Sequence, residues 1–206
     1  MSLSTPPSLQ LAQLSVMRAE RTLIAGLDLS LVAGDLVHLR GPNGCGKTSL
    51  LETIAGLRQP AAGVVQGLPE TGAIHWISHR NALTPQLSAI ENLEFWCGIN
   101  QVSAQAVPAA LDRMQLAAGA RRRVVRSLSA GQKRRASLAR LFLAERPLWL
   151  LDEPLDGLDR DGIALFAGVL DEYLDRGGMV LMTSHQPLPA LKRMVHELDL
   201  QAVGRA

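Results

Sequence analysis

The most informative stretch of this chain reads Gly41-Pro42-Asn43-Gly44-Cys45-Gly46-Lys47-Thr48. It fits the phosphate-binding loop template G-x-x-x-x-G-K-[ST] at every fixed position. An apolar, strand-like run precedes it at 35–40, and a helix-like run follows at 48–57. Glycines let consecutive backbone N–H groups turn around a polyphosphate, and a helix N-terminus adds partial positive charge. The stretch therefore predicts a binding site for a nucleoside triphosphate.

Two side chains carry the chemistry of this loop. Lys47 is predicted to reach the β- and γ-phosphates, and the Thr48 hydroxyl to bind Mg²⁺. Ser49 joins residues 41–48 in the predicted contact with the nucleotide. Cys45, at a helix start beside a lysine, predicts a thiol that is sensitive to alkylation and oxidation. The alternative is that Cys45 is simply a small residue filling its position.

Composition limits the class of protein. The chain has 206 residues, 47% of them hydrophobic, which suits one domain with a substantial core, and residues 1–8 are expected to be disordered. The net charge of +2 is too small to argue for nucleic acid as a partner. Basic residues at 121–123 and 133–135 are interpreted as solvated helix faces, with membrane headgroups or a protein partner as the alternative.

The cellular compartment can be predicted from the cysteine count, the apolar runs and the N-terminal residues of the sequence. Two cysteines are too few for a disulfide scaffold or a metal site and suit a reducing compartment. No run approaches the ~18 uninterrupted apolar residues of a membrane span. The first ten residues lack the basic and apolar regions of a secretory signal. We therefore expect a cytoplasmic chain that reaches a membrane only through a partner.

Hydrophobic periodicity predicts an α/β fold. Leu27, Leu29 and Leu31 alternate with small or polar residues, as in a half-buried strand. Helical spacing dominates 85–145, which we interpret as an inserted helical subdomain of a single domain covering 1–206. Apolar runs then flank an amphipathic segment, a pattern that predicts a βαβ unit in a buried parallel sheet.

Two acids follow the apolar run at 148–151. A carboxylate at the carboxyl end of a parallel strand beside the phosphate-binding loop can hold Mg²⁺, a role that suits Asp152. Glu153, predicted on the opposite side of the pleat, is suited to polarise a water that attacks the γ-phosphate. The alternative, that the pair merely caps the next segment, loses weight beside such a loop.

Two further groups are candidates for contact with phosphate. Ser129, Gly131 and Gln132 open a predicted helix that runs to about residue 144, and their exposed N–H groups predict a second anion site. An ordinary N-cap by Ser129 is the alternative. His185 follows an apolar strand and is placed to donate to a γ-phosphate or to the attacking water. Without the other motifs it would be read as structural.

Together and in this order, these motifs resemble the ATP-binding cassette (ABC) ATPases over residues 9–191. The resemblance implies a P-loop NTPase fold with a mostly parallel core sheet, an N-terminal antiparallel β part and an inserted helical subdomain. It makes 128–132 the signature motif, Asp152 the Walker B aspartate, Glu153 the catalytic glutamate and His185 the switch histidine. It also implies ATP and Mg²⁺ as ligands. A head-to-tail homodimer follows, because each ATP lies between one copy's loop and the other copy's Ser129 and Gly131.

Three phrases, at 129–141, 146–154 and 177–188, resemble more specifically the ATP-binding subunits of bacterial cytochrome c maturation systems. This resemblance implies that ATP hydrolysis drives haem handling at the inner membrane. The chain would then sit on the cytoplasmic face, bound to separate integral membrane subunits. The alternatives are an ATPase subunit for a lipoprotein, metal or peptide transporter, and a weakly hydrolysing regulatory cassette. The substrate is chosen by membrane subunits, so the sequence leaves it open.

Two positions depart from the family pattern. Arg80 stands where the family usually has a glutamine that senses Mg²⁺ and water. An arginine only donates hydrogen bonds and cannot ligate a metal, so we predict slower or differently coupled hydrolysis, unless Gln86 takes that role. Residues 16–21 also lack the aromatic that often stacks on adenine. Arg18 or Arg21 is then a candidate to stack by its guanidinium plane, and a solvated arginine is the alternative.

Overall fold

The computed structural model describes residues 8–68 and 72–201. Of the eight N-terminal positions predicted to be disordered, 1–7 lie outside the described residues. The prediction is wrong for Ser8, which begins strand β1 (Ser8–Arg18). The neighbouring Leu9 is fully buried and pairs with Leu31. Burial of this side chain stabilises the first residues of β1 in the sheet, where Ser8 pairs with Val32.

Eight strands form two sheets in the described part of the chain. An antiparallel sheet has the order β2-β1-β4, with β2 at Arg21–Val32 and β4 at Ala62–Gln66. A five-stranded sheet has the order β5-β6-β7-β3-β8, and every neighbouring pair in it is parallel. Its strands are β3 (Leu36–Arg40), β5 (Ile74–Ile77), β6 (Leu148–Leu151), β7 (Met179–Thr183) and β8 (His196–Asp199).

The parallel sheet is covered on both faces. Strands β6 and β7 are buried at every residue, which is why they read as continuous apolar runs. On one face, alternate residues pack with helix α1 (Lys47–Ile54) and with the antiparallel sheet. On the other face, the intervening residues pack with helix α6 (Arg160–Asp175) and with the helical segment. This two-faced core confirms the α/β expectation.

The chain between β5 and β6 is helical, in agreement with its sequence spacing. It contains α2 (Ala89–Asn100), α3 (Val107–Arg113), α4 (Ala118–Arg121) and α5 (Ala130–Leu138), with 3₁₀ turns at Ala104–Ala106, Val125–Ser127 and Ala139–Phe142. The division into a subdomain at 85–145 stays a prediction. Within the described ranges, no helix has the length and apolarity needed to cross a bilayer.

Helix α5 is shorter than predicted. It ends at Leu138 and continues as a 3₁₀ turn, whereas the sequence spacing predicted a helix to about residue 144. The Arg140 side chain donates through Nε to the Ser137 carbonyl at 3.0 Å and through Nη2 to the Asn81 carbonyl at 2.8 Å. The first of these bonds satisfies a carbonyl in the last turn of α5, where the α pattern gives way to a tighter turn, and the second joins this turn to the loop after β5.

The predicted βαβ unit is confirmed, because α6 connects the neighbouring parallel strands β6 and β7. Asp159 caps α6 by accepting from the Gly162 N–H at 2.9 Å. Strands β3, β6 and β7 run side by side in one direction, so their carboxyl ends share one edge of the sheet. Strand β5 is parallel to β6, so the loops after β3, β5, β6 and β7 all leave that edge, and they contribute residues to the candidate site, as is usual for open α/β sheets.

Candidate active site

The loop between β3 and α1 is shaped by three glycines. Gly41, Gly44 and Gly46 have φ of 133°, 82° and 111°, a region that side chains disfavour. A Cβ on Gly46 would lie 3.1 Å from Cβ of Leu23, a tight contact that a side chain could make only if Leu23 moved slightly. Among the residues that the structure describes, no side chain caps the N-terminus of α1. Its first N–H groups are therefore free to bind an anion.

Lys47 lies buried at the start of α1. Its Nζ donates to the carbonyl oxygens of Gly41 at 2.7 Å and Pro42 at 3.3 Å. Both acceptors are neutral, although a buried ammonium gains most from an anion. The loop thus fits a polyphosphate by its glycine conformations, its helix N-terminus and its positive charge.

Asp152 is held between two threonine hydroxyls. Thr48 Oγ1 donates to Asp152 Oδ2 at 2.9 Å, and Thr183 Oγ1 donates to Oδ1 at 2.9 Å. Thr48 and Asp152 thus bring together two hard oxygen ligands of the kind that Mg²⁺ takes. In the part of the chain that the structure describes, no group of three or more His, Cys, Asp or Glu side chains is placed to hold a metal. That fits Mg²⁺, which usually takes one or two carboxylates together with substrate phosphates.

Glu153 does not continue the pleat of strand β6. Its φ is 51°, the left-handed region that residues other than glycine seldom adopt. Its N–H donates to Thr183 Oγ1 at 2.8 Å, and its Oε2 accepts from the His185 N–H at 2.8 Å. The prediction that Glu153 faces away from Asp152 is wrong, because this turn brings both acids to the same cleft.

The predicted catalytic and metal-binding residues line a single cleft of about 710 Å³. It contains Lys47, Thr48, Asp152, Glu153 and His185. From the loop and α1, Asn43, Gly44, Gly46 and Ser49 line it as well, while Gly41 and Pro42 line an adjoining depression together with Lys47. Cys45 is partly exposed.

Two arginines bring further positive charge to the cleft. Arg80 and Arg18 both line it, whereas Gln86 and Arg21 are exposed and are not among its lining residues. Of the two candidates for the family's glutamine position, Arg80 is therefore the one beside the predicted metal and phosphate ligands. Of the two candidates for stacking on a base, Arg18 is the one within reach.

The comparisons with known proteins agree with this geometry. The family described as ABC transporter matches residues 24–156. A relative from Pseudomonas savastanoi pv. phaseolicola, the cytochrome c biogenesis ATP-binding export protein CcmA, is 42% identical over 205 residues, covering 95% of this chain and 96% of the relative. CcmA of Paracoccus denitrificans is 43% identical over 190 residues, covering 92% and 88%. The chain belongs to the ABC transporter family.

Solved ABC cassettes share this fold. A putative ABC transporter ATP-binding protein from Pyrococcus furiosus aligns with a TM-score of 0.82 and 24% identity, covering 96% of this chain and 100% of that chain. A dimeric structure of the bacterial ABC transporter cassette MJ0796 aligns with a TM-score of 0.82 and 21% identity, covering 96% and 97%. Both the predicted family and the predicted cassette fold are thus confirmed.

The residues that the sequence predicts to form the signature motif begin helix α5. Ser129 is its N-cap: Ser129 Oγ accepts from the Gln132 N–H at 3.2 Å, and Gln132 Oε1 accepts from the Ser129 N–H at 3.0 Å. A Cβ on Gly131 would lie 2.9 Å from the Gly157 carbonyl oxygen. Ser129, Gly131 and Gln132 are not among the residues that line the cleft. Their role toward a second copy's nucleotide stays a prediction.

Two residues near the acids were missed by the sequence reasoning. Thr183 is fully buried and bonds to both acidic residues. The sequence feature that could have identified Thr183 is its position as the polar last residue of an apolar strand, two residues before His185. Arg134, expected on a solvated face, is 1% exposed, while Arg122 and Arg123 are exposed as predicted. Its spacing from Leu138, one helical turn away, was the signal that it shares the buried face.

Proposed function

We propose that this chain is the ATP-hydrolysing subunit of an ABC transporter that serves cytochrome c maturation by exporting or handling haem. The observation that carries hydrolysis is the convergence of Lys47, Thr48, Asp152, Glu153 and His185 on one cleft. The cytochrome c role is supported by similarity to export proteins of cytochrome c biogenesis along nearly the whole chain. Haem as the cargo is what the resemblance of the three phrases at 129–141, 146–154 and 177–188 implies.

Binding of the triphosphate is the work of the loop and helix α1. Backbone N–H groups of the loop surround the β- and γ-phosphates, and Lys47 exchanges its neutral carbonyl partners for phosphate oxygens. When bound by Thr48 and Asp152, Mg²⁺ supplies neutralisation of phosphate charge. Arg18 lies where it can stack on the base.

Hydrolysis uses Glu153 as the base. Water attacks the γ-phosphorus, its proton passes to Glu153, and the bond from that phosphorus to the leaving oxygen of ADP breaks. The His185 N–H holds Oε2, which leaves Oε1 to accept from water. The His185 ring, with Nε2 at 3.6 Å from Oε1, is placed to orient the water or the γ-phosphate.

A second copy of the chain completes each site. In the proposed homodimer, Ser129 and Gly131 of one copy close over the triphosphate held by the other copy. The dimer is peripheral on the cytoplasmic face of the inner membrane and is held there by the integral membrane subunits of the maturation system. Nucleic acid has no part in this function.

A complementation experiment tests the cytochrome c role. A strain deleted for this gene is expected to lose covalently bound haem in its c-type cytochromes, measured by in-gel haem peroxidase staining. The wild-type chain and the control Lys192→Ala restore the stain, whereas Lys47→Ala does not, because only Lys47 lines the cleft. Normal staining in the deletion strain would show that the chain serves another transporter.

Two further measurements separate the remaining alternatives. Glu153→Gln is expected to fail in the same complementation, and success would favour a regulatory cassette that need not hydrolyse ATP.

Co-purification with the membrane subunits is expected to raise ATP turnover above that of the isolated chain. An unchanged rate in the complex would argue against a coupled transporter.

A further inference from the structure

Arg134 lies behind the cleft and holds the loop that carries the two acids. Its Nε donates to the Pro154 carbonyl at 3.0 Å, and its Nη2 donates to the Asp152 carbonyl at 3.0 Å and to the Glu153 carbonyl. One guanidinium thus binds three consecutive carbonyl groups. Because Arg134 belongs to helix α5, this loop is tied directly to the helix that begins with the signature.

The same side chain reaches a second loop. Arg134 Nη1 donates to the Ser78 carbonyl at 3.1 Å and to Asn81 Oδ1 at 3.3 Å. The Asn81 carbonyl in turn accepts from Arg140, just beyond α5. Loop 78–81 carries the cleft-lining arginine that replaces the family's glutamine. Helix α5, the acid loop and loop 78–81 therefore meet at one guanidinium.

Stability alone does not account for an arginine here. All of its hydrogen-bond acceptors are neutral, and burial lowers the pKa of Arg134 to about 10, although the negative charges of Asp156, Asp152 and Glu153 favour its charged form. Burying an ion without a directly bonded counter-charge is unfavourable. What arginine does supply is five donors in one rigid plane, which fixes two loops relative to a helix.

The backbone of Glu153 depends on this contact. Its left-handed φ of 51° is strained for a residue with a side chain. Thr183 Oγ1 holds its N–H at 2.8 Å, and Arg134 holds its carbonyl. Strained backbone persists where surrounding groups fix it on several sides. The direction of the Glu153 carboxylate therefore depends on where α5 places Arg134.

We propose that Arg134 is a positioning residue. It couples the binding of a second copy's triphosphate by Ser129 and Gly131 to the orientation of the Glu153 carboxylate and to the position of loop 78–81. The inference rests on the proposed function, in which the start of α5 contacts the triphosphate held by a second copy. A shift of α5 on that contact is carried through one guanidinium to the acid loop. Arg134 does not line the cleft and acts through Glu153.

Two substitutions test this coupling. Arg134→Met keeps the length and removes all donors, and Arg134→Lys keeps the charge but has one nitrogen for two loops. Both are expected to lower kcat by at least about tenfold, since small misplacements of catalytic groups are costly. Affinity for a fluorescent ATP analogue is expected to stay within about twofold, because Lys47 and the loop are untouched. Arg122→Met, on an exposed residue, is the control.

The split between kcat and affinity distinguishes coupling from a merely structural role. The inference would be overturned if Arg134→Met and Arg134→Lys both fold and keep a kcat close to that of an active wild-type protein. It would also be overturned if kcat and affinity for the ATP analogue fall by equal factors. If Arg134→Met does not fold, Arg134→Lys and Asn81→Ala decide by the same two measurements. A wild-type chain that binds ATP without hydrolysing it would instead refute the proposed function, and the coupling with it.

Discussion

The His185 N–H donates to Glu153 Oε2 at 2.8 Å, while His185 Nε2 lies 3.6 Å from the other oxygen of the same carboxylate. Glu153, two residues beyond the end of strand β6, is thus held by His185, two residues beyond the end of the neighbouring strand β7. Because β6 and β7 are parallel, residues 32 positions apart in sequence meet at one edge of the sheet. The His185 N–H thus fixes Oε2 of the Glu153 carboxylate, whereas Oε1 accepts no hydrogen bond from that N–H, and Glu153 lines the cleft.

Replacing Glu153 by glutamine is expected to stop turnover without weakening nucleotide binding. Loss of a general base lowers rates by about 10²–10⁴-fold, whereas the loop that binds phosphate is unchanged. Phosphate release measures the first effect, and titration with an ATP analogue measures the second. In the presence of ATP the variant is also expected to elute from a sizing column at twice its monomer mass.

The matched control for that substitution is Glu94→Gln on the exposed side of α2, which is expected to leave turnover unchanged. Turnover by Glu153→Gln at a rate near that of the wild type would mean that another group is the base. A purely monomeric elution with ATP would remove the support for the dimer.

Substitution of Arg80 by glutamine is expected to raise KM for ATP by about three- to tenfold, because a cation beside the phosphates is lost from a partly exposed cleft. It is also expected to change kcat, since the glutamine that the resemblance leads us to expect then stands beside the predicted metal ligands, Thr48 and Asp152. Steady-state kinetics with and without the membrane subunits measure both effects. Arg122→Gln is the control, and unchanged constants in both settings would remove Arg80 from the site.

A thiol reagent is expected to inactivate the enzyme at Cys45, and bound ATP is expected to protect it. Cys45 is partly exposed within the loop that is predicted to surround the phosphates, whereas the other cysteine, Cys97, is buried. Mass spectrometry after iodoacetamide treatment identifies the modified residue. Cys45→Ser should abolish the sensitivity. Alkylation that proceeds equally with and without ATP would contradict the placement of this loop around the nucleotide.

Adding a methyl group at Gly131 is expected to destabilise the fold. In Gly131→Ala the new Cβ would lie 2.9 Å from the Gly157 carbonyl, and such overpacking lowers the free energy of unfolding by about 1–3 kcal/mol. Gly168→Ala, in the open on α6, is the matched control and should raise that free energy by about 0.5–1 kcal/mol. Chemical denaturation of both variants measures the difference, and equal stabilities would be inconsistent with the packing at Gly131.

Buried His75 is expected to make the fold sensitive to acid. Its pKa is lowered from 6.5 to about 4, chiefly by burial, with the charges of Arg146 and Arg140 acting in the same direction. The neutral ring is therefore favoured in the folded state. Its contribution to stability is complete above about pH 6.5 and is lost as the pH falls toward 4, because the unfolded chain takes up the proton first.

Between about pH 7 and about pH 4.5 this effect is about 2–3 kcal/mol in the free energy of unfolding, because the pKa of His75 is about 4 in the folded chain and 6.5 in the unfolded chain. Urea titrations at about pH 7 and about pH 4.5 measure it in the wild type and in His75→Gln, which cannot titrate there. The wild type should lose more stability than the variant over this interval. Parallel losses would show that His75 is protonated in the folded state.

Local patterns in the sequence were sufficient to determine the phosphate-binding loop, the acids, the βαβ unit and the helical character of the segment before β6. Each depends on neighbouring residues: glycines at fixed spacing, apolar runs of strand length, and carboxylates directly after a strand. Short-range chemistry of this kind can be read along the chain.

The way in which Asp152 and Glu153 are held depends on contacts that form only in the folded chain. The left-handed turn at Glu153 depends on Thr183, which lies on another strand, and on Arg134, which lies on a helix in the segment before β6. No local pattern encodes these contacts, because each joins residues distant in sequence. For the same reason the sequence alone did not show that Arg134, in the basic triplet 133–135 predicted to be solvated, is buried. Burial is a property of packing, and a charged side chain becomes part of the interior when distant carbonyl groups converge on it.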